Sequence, residues 1–312
     1  MRKIIVQILV STFFLATAAG AGDLPLIRTA FVIVFENQNW SAIKGSASAP
    51  YINNTLLPQA AHCENYFGIG HPSEPNYIWM EAGSTLGISN DNDPSSNHQS
   101  TTNHLVTLLN AANVPWKSWQ EDISGSVVPL TAVNKYAPKH NPMVYFDDVT
   151  GINNANYAYG IAHIRPYTEF AGFLATNTAG GYNFITPNLC NDGHDSCAPL
   201  NNGIRQSDTW LSNAVAKIVS SAAYTNKGAI FILWDECAAG QTVPSGMIVL
   251  SPLIKSPGYT SALTYNHSSL LRTIQEIFNV TPLIRDAANA TNLSDLFKLA
   301  PSPPANVRTV PP

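Results

Sequence analysis

Two stretches of this chain are unbroken apolar runs that end in side chains carrying oxygen. Thr29–Phe35 and Gly228–Trp234 are rich in β-branched and aromatic residues, a pattern typical of strands buried on both faces of a parallel sheet. The residues that follow are Glu36 and Asn37 after the first run, and Asp235 and Glu236 after the second. We therefore predict two central strands whose carboxyl ends are acidic.

Shorter apolar stretches alternate with helical patterns along the rest of the chain. We predict further strands at 182–186 and 246–251, and helices at 103–112, 167–176, 208–223 and from His267 onward. The last helix has an apolar stripe, made of Leu270, Leu271, Ile274, Ile277 and Phe278. This alternation indicates a layered α/β fold with a mostly parallel sheet and helices on both faces.

The acidic strand ends predict a metal site. In an open α/β sheet, ligands bind in the crevice beyond the carboxyl ends of the strands. Several carboxylate and amide oxygens are costly to hold together there unless a cation offsets their charge. We therefore expect a divalent metal ion at this crevice. The alternative is that these residues only begin solvated loops.

A serine between two prolines lies in the segment His-Pro-Ser-Glu-Pro-Asn-Tyr at residues 71–77. Pro75 suits the first turn of a helix, which places Ser73 near a helix N-terminus, where free N–H groups favour an anion. A bound cation lowers the pKa of such a hydroxyl and makes it nucleophilic. An ordinary N-cap serine is the alternative that this segment alone leaves open. The polar segment 84–102 that follows is expected to be a long loop near Ser73.

Six separated motifs occur in an informative order. They are Glu-Asn at 36–37, the segment 71–77, Tyr-Ala-Pro-Lys-His-Asn-Pro at 136–142, Thr-Pro-Asn-Leu-Cys-Asn-Asp-Gly-His-Asp at 186–195, Trp-Asp-Glu at 234–236 and Asn-His-Ser-Ser-Leu-Leu-Arg-Thr-Ile at 266–274. In this order they resemble the phosphoesterase family of secreted acid phosphatases and phosphatidylcholine-type phospholipases C, within the alkaline phosphatase superfamily. The resemblance spans residues 29–278 and implies an alkaline phosphatase-like fold.

The resemblance implies a role for each matching residue. Ser73 matches a nucleophile that forms a covalent phosphoserine, and the ligands of the activating metal match Glu36, Asn37, Ser73, Asp235 and Glu236. The superfamily's second cluster, which holds another metal in some members and contacts phosphate or leaving group in others, matches His194 and His267. In the superfamily an aspartate often precedes this histidine, and here only Asn188 or Asp192 could match it, neither at the usual spacing. One divalent ion is therefore expected, and whether a second ion binds stays an open question.

Further side chains of these segments are candidates for substrate binding. Lys139 and His140 would contact phosphate or substrate, with a solvated loop as an equal alternative. Trp40 follows the first acidic turn closely enough to line the pocket. The remaining candidates are Asn188, Asp192 and Asp195.

The N-terminus has the three parts of a secretory signal peptide: a basic start, an apolar core and an Ala-Gly-Ala cleavage pattern at 19–21. We divide the chain into a signal peptide at 1–21, a phosphoesterase catalytic domain at 22–300 and a disordered Pro-rich tail at 301–312. The protein is expected to be secreted or periplasmic.

Export permits disulfides, and the four cysteines Cys63, Cys190, Cys197 and Cys237 allow three pairings. A bridge between Cys190 and Cys197 closes a short loop around His194. The sheet implied by the resemblance would bring Cys63 close to Cys237, so we expect this second bridge. Zinc binding is the weaker alternative because no C-x-x-C spacing occurs.

Charge and composition exclude some other classes of protein. The net charge is −4 and only 12% of the residues are charged, so the chain has no basic footprint for nucleic acid. No segment after residue 21 is long and apolar enough to span a membrane. We expect a secreted, metal-dependent phosphomonoesterase of the acid phosphatase type that acts on small phosphate esters. The alternatives are a phosphodiesterase or phospholipase C acting on phospholipid head groups, and a binding protein without turnover.

Overall fold

A computed structural model describes residues 24–176 and 181–299. The predicted signal peptide and Pro-rich tail lie outside these residues. The described strands are β1 Thr29–Phe35, β2 Ala61–Phe67, β3 Trp116–Gln120, β4 Ile164–Pro166, β5 Gly181–Thr186, β6 Gly228–Trp234, β7 Met247–Leu250 and β8 Thr260–Asn266. They form one sheet with the order β4-β3-β5-β1-β6-β7-β2-β8. Within it, β7 runs antiparallel to both of its neighbours, and the other pairs are parallel.

Helices of very different length connect and cover these strands. They are α1 Trp40–Ile43, α2 Ser73–Ala82, α3 Pro94–Asn97, α4 Leu105–Ala111, α5 Asp147–Thr150, α6 Ala158–His163, α7 Phe170–Thr176, α8 Gly203–Val219, α9 Ala222–Thr225 and α10 His267–Ile277. Short 3₁₀ turns and one π-helical turn at Ile52–Leu56 supplement them. None of the helices in the described ranges is long and apolar enough to cross a bilayer.

Alternate residues of the central strands enter two separate hydrophobic cores, one on each face of the sheet. Ala30, Val32 and Val34 of β1 pack into the core that α2 and α10 cover, and the intervening Phe31, Ile33 and Phe35 pack into the core under α7 and α8. This division follows from the two-residue period of a strand, since both faces of a central strand must be apolar when helices cover both. The predicted α/β architecture, mostly parallel with helices on both faces, is confirmed.

Several predicted boundaries shift for local reasons. The helix expected at 208–223 begins at Gly203, because the Asn202 side chain accepts a hydrogen bond from the Arg205 N–H and caps the helix there. It ends at Val219, and Ser221 caps the separate short helix α9. The helix expected at 167–176 starts with a 3₁₀ turn and becomes α-helical at Phe170.

The register of the two central strands brings their acidic ends together. Phe35 of β1 pairs with Trp234 of β6, and the Asp235 N–H donates a hydrogen bond to the Phe35 carbonyl at 2.9 Å. Glu36 and Asp235 are therefore neighbours at the carboxyl edge of the sheet. Strand β2 runs in the same direction as β6, so the loop that leads from Phe67 to α2 reaches the same edge.

One predicted disulfide is confirmed and the other is wrong. Cys190 and Cys197 are bonded with a Cα–Cα distance of 5.6 Å, whereas Cys63 and Cys237 are both free and buried. Cys63 lies within β2, level with Met247 and Leu233. Cys237 lies in the loop after β6, next to His71 and four residues farther toward the carboxyl edge of the sheet than Leu233, which corresponds to about 13 Å and exceeds the reach of a disulfide.

The state of the cysteines can be counted directly. We expect alkylation of the denatured, unreduced protein to modify two residues, Cys63 and Cys237, and alkylation after reduction to modify four. Mass spectrometry of the tryptic peptides would identify them. In the folded protein Cys63 should react very slowly, because burial raises the pKa of its thiol and removes it from the reagent. Absence of any free thiol before reduction would contradict this arrangement.

Candidate active site

The centre of the site is formed by the carboxylates that follow β1 and β6. Glu36 and Asp235 are completely buried, and the Asn37 N–H donates to Asp235 Oδ1 at 3.3 Å. One oxygen of each, Glu36 Oε1 and Asp235 Oδ2, has no hydrogen-bond partner. Burial raises the pKa of both carboxyls, that of Asp235 well above its usual range, and their mutual repulsion adds to the increase for Asp235.

Ser73 lies directly against this pair. It is the first residue of α2, after Pro72, and its hydroxyl donates a hydrogen bond to Glu36 Oε2 at 2.9 Å. The side chain therefore does not cap the helix, which was the alternative interpretation from sequence. The approach of β2 and α2 to β6 depends on Gly68, where a Cβ atom would lie 2.4 Å from the Asp235 carbonyl oxygen. Only glycine permits that contact.

A buried histidine connects Glu36 to a third carboxylate. His140 Nδ1 is 3.1 Å from Asp192 Oδ2, and its Nε2 lies 3.2 Å from Glu36 Oε1 without the geometry of a hydrogen bond. The ring stacks on Tyr77 of α2 with the ring centroids 5.1 Å apart. Burial lowers the pKa of His140 to about 4 and raises the pKa of Asp192 to about 8.

The donor set fits an oxygen-preferring cation. Three completely buried carboxylates, Glu36, Asp192 and Asp235, meet at this edge of the sheet, and two of them present unpartnered oxygens. A divalent ion would satisfy these oxygens and reverse the burial cost. Within residues 24–176 and 181–299, no three His, Cys, Asp or Glu side chains are already grouped as a metal site. A site at this position would therefore also need the oxygens of Asn37 and Ser73.

Glu236 contacts residues on both sides of Ser73, and its charge also acts on Asp235. Its Oε2 accepts a hydrogen bond from the Asn76 amide at 3.1 Å and lies 3.0 Å from His71 Nδ1. Partial burial lowers the pKa of His71, but its contacts with Glu236 outweigh this effect and raise the pKa overall. Glu236 thus contacts α2 through Asn76 and the loop before Ser73 through His71.

The two histidines of the predicted second cluster occupy different positions. His267 is completely buried: its Nε2 is 2.7 Å from the Asp235 carbonyl oxygen and its Nδ1 is 2.9 Å from the Tyr66 hydroxyl. Both ring nitrogens are therefore occupied, and burial lowers its pKa to about 4. His194 is half-exposed, with its ring centroid 5.6 Å from that of His140. The structure brings His194 to the site and leaves His267 behind Asp235.

Lys139 reaches the site together with His194. Its Nζ lies 3.3 Å from His194 Nε2 and donates to Asp91 Oδ2 at 3.0 Å. Partial burial lowers the pKa of Lys139, but Asp91 more than offsets this effect and raises it overall, helped by Glu36 and Asp235. The positive charge of Lys139 thus acts on the buried carboxylates Glu36 and Asp235.

The other predicted substrate-binding residues serve different purposes. Asn188 turns its own loop by accepting hydrogen bonds from the Cys190 and Asn191 N–H groups, and Asp195 pairs with Lys135 and His194. Of the two candidates for the missing aspartate, Asp192 enters the site and Asn188 does not.

Trp40 does not line the site. It is 4% exposed, packs against Trp234 with the ring centroids 6.0 Å apart, and donates its indole N–H to Glu64. Its place is in the core, because the chain turns back over the sheet directly after Asn37.

Sequence reasoning missed Asp91, which links two parts of the site. Its Oδ1 accepts a hydrogen bond from the Glu74 N–H at the start of α2, and its Oδ2 accepts one from Lys139. It belongs to the polar segment 84–102, where many Asp and Asn residues give no motif. The expectation that this segment lies near Ser73 was the indication in the sequence that one of its residues could reach the site.

Comparisons with known proteins identify the family of this chain. The sequence profile of the Phosphoesterase family matches residues 46–281. A phosphate-repressible acid phosphatase from Penicillium chrysogenum is 28% identical over 71% of this chain and 52% of its own length. A phosphatidylinositol-3-phosphatase from Mycobacterium tuberculosis is 27% identical over 89% of this chain and 85% of its own length. The chain thus spans about half of the fungal relative.

Solved structures share the fold at much lower sequence identity. A phosphonate monoester hydrolase from Silicibacter pomeroyi superposes with a TM-score of 0.58 at 12% identity, over 88% of this chain and 78% of that one. A protein of the alkaline phosphatase superfamily from Vibrio parahaemolyticus gives a TM-score of 0.56 at 10% identity, over 85% and 70% of the two chains. The family profile covers most of the chain, and the fold is that of the superfamily: the protein belongs to the Phosphoesterase family.

Proposed function

We propose that this protein is an exported hydrolase of phosphoric monoesters, of the acid phosphatase type, that works through a covalent phosphoserine. The observation that carries the proposal is the hydrogen bond from Ser73 Oγ to the buried Glu36 Oε2 at the start of α2. The family membership and the fungal and mycobacterial phosphatases among its relatives support the reaction class. The disulfide between Cys190 and Cys197 supports export.

The residues of the site divide the reaction between them. Ser73 Oγ attacks phosphorus in line, and its proton passes to Glu36, whose Oε2 already accepts the hydrogen bond from that hydroxyl. The bond to the alcohol breaks as the bond from Ser73 forms, and water later hydrolyses the phosphoserine. The N-terminus of α2, with its positive dipole end, and the Lys139 ammonium would face the phosphoryl oxygens.

A divalent cation would be held by Glu36, Asn37, Ser73, Asp235 and Glu236, with Asp192 close by. When bound, it supplies Lewis-acid stabilisation of the serine alkoxide and of the phosphoryl charge. Asp192 holds His140 beside Glu36, where the imidazole packs against the carboxylate. His194 lies at the edge of the site in contact with Lys139, and the leaving alkoxide takes its proton from water, whereas His267 is confined to holding the Asp235 carbonyl.

The nucleophile is tested by Ser73→Ala. We expect kcat for a chromogenic phosphomonoester to fall by at least about 10³-fold, because the covalent step is lost. The thermal midpoint should change little. Ser96→Ala, on the exposed surface of α3, is the matched control and should retain full activity. Trapping of phosphate on Ser73 by acid quench and mass spectrometry is the second measurement. More than a few per cent residual turnover in Ser73→Ala would exclude Ser73 as the nucleophile.

The metal is tested by chelation and by Asp235→Asn. Removal of metal with a chelator should abolish activity, and a divalent ion should restore it. Asp235→Asn removes one of the charges that offset the desolvation of the cation, so it should lower metal content per chain in elemental analysis. Glu169→Gln, whose carboxylate pairs with Arg165 on the surface, is the control. Full activity of a chelated enzyme shown to be metal-free would remove the metal from the proposal.

A panel of substrates tests the reaction class. We expect phosphomonoesters to be hydrolysed faster than phosphodiesters, and sulfate esters to be poor substrates. Preference for diesters would favour the phospholipase C alternative, and absence of turnover on the whole panel would favour a binding protein.

A further inference from the structure

The Lys139 ammonium is fixed in place more firmly than a surface lysine. Its side chain is 18% exposed, and it contacts Asp91 on one side and His194 on the other. The side-chain charges that act on it include those of Glu36 and Asp235, so the ammonium faces the buried carboxylates of the site. A lysine held in this way has lost most of its rotamer freedom before any substrate arrives.

Asp91 ties this ammonium to the nucleophile helix. One of its oxygens accepts from Lys139, and the other accepts at 3.0 Å from the N–H of Glu74, the residue after Ser73. Asp91 therefore ties the Lys139 ammonium to the first turn of the helix that begins with Ser73. Such a two-sided contact preorganises a cation at the position where phosphoryl oxygens are expected.

The contact with His194 determines which nitrogen of that ring carries the proton. An ammonium group can only donate a hydrogen bond, so His194 Nε2 is the acceptor in its contact with Lys139. The proton then lies on Nδ1, which donates to Asp195 Oδ1 at 2.9 Å. Asp91, Lys139 and His194, which we call the lysine clamp, thus form one directed chain of polar contacts.

A phosphomonoester and a phosphodiester differ in charge at this position. A monoester phosphate has a second pKa near 6 and carries close to two negative charges at neutral pH, whereas a diester carries one. A preorganised ammonium stabilises the second charge, and a diester has an alkoxy group instead of the third charged oxygen. Resting on the function proposed above, we propose that Lys139 selects dianionic phosphomonoesters and that Asp91 is a positioning residue for it.

The experiment compares one monoester with its diester, para-nitrophenyl phosphate and bis-para-nitrophenyl phosphate, in the metal-loaded full chain. Lys139→Gln should lower kcat/KM for the monoester by about ten- to a hundred-fold, as expected for loss of a charge-assisted contact. The value for the diester should change less than about threefold, since that substrate lacks the second charge. Inhibition by inorganic phosphate should weaken in parallel with the loss for the monoester.

Three variants define what carries the effect. Lys255→Gln removes a surface lysine that pairs with Asp295 away from the site, and it should leave both activities unchanged. Lys139→Arg keeps the charge and should retain the preference for the monoester. Asp91→Asn should reduce this preference in the same direction as Lys139→Gln, chiefly through a higher KM for the monoester.

The outcomes separate this inference from the proposed function. Monoester turnover by the wild type tests the proposed function alone. The inference on Lys139 is overturned if Lys139→Gln lowers both activities by the same factor, lowers neither, or reduces metal content. The positioning role of Asp91 is overturned if Asp91→Asn keeps the wild-type preference while Lys139→Gln loses it.

Discussion

The burial of the Glu36 carboxylate is the constraint on which the site depends. One of its oxygens accepts the Ser73 hydrogen bond, and the other faces His140 without a hydrogen bond of its own. An ionised carboxylate in such surroundings is stable only when neighbouring charges compensate it. The neighbouring residues supply this compensation in part, because Lys139 and the start of α2 contribute positive potential while Asp192 and Asp235 oppose it. The negative charge that is left uncompensated favours a bound cation at this position.

The arrangement also explains why the connection between β2 and α2 is so tightly determined. The loop must deliver Ser73 to Glu36 and at the same time pass over the Asp235 carbonyl, which already accepts a hydrogen bond from His267. Gly68 allows the close approach, and Asn76 holds the loop by donating to the Gly70 and Pro72 carbonyls. Ser73 is thus positioned by backbone contacts from several directions, rather than by its own hydrogen bond alone.

The central strands and the acidic edge could be predicted from sequence because their signals are strong and local. Continuous apolar runs, such as Thr29–Phe35, have few explanations other than a strand covered on both faces. The directions of the following side chains could not be predicted. Asp235 and Glu236 are consecutive, yet Asp235 accepts a hydrogen bond from the Asn37 N–H while Glu236 pairs with His71. The failed pairing of Cys63 with Cys237 has a similar origin, because the level of each cysteine along the sheet depends on the strand register, which the sequence does not show.

The strand order has a consequence for how the protein folds. Strand β1 pairs with β6, about two hundred residues later, and β2 pairs with β8 at a comparable separation. Contacts of this kind close very long loops before they contribute stability, so the sheet forms slowly compared with domains of similar size built from local contacts. Because Glu36 and Asp235 meet only after the β1–β6 ladder has closed, chains that are still folding have no assembled acidic centre. Formation of this centre therefore reports completion of one of the most non-local steps in the assembly of the sheet.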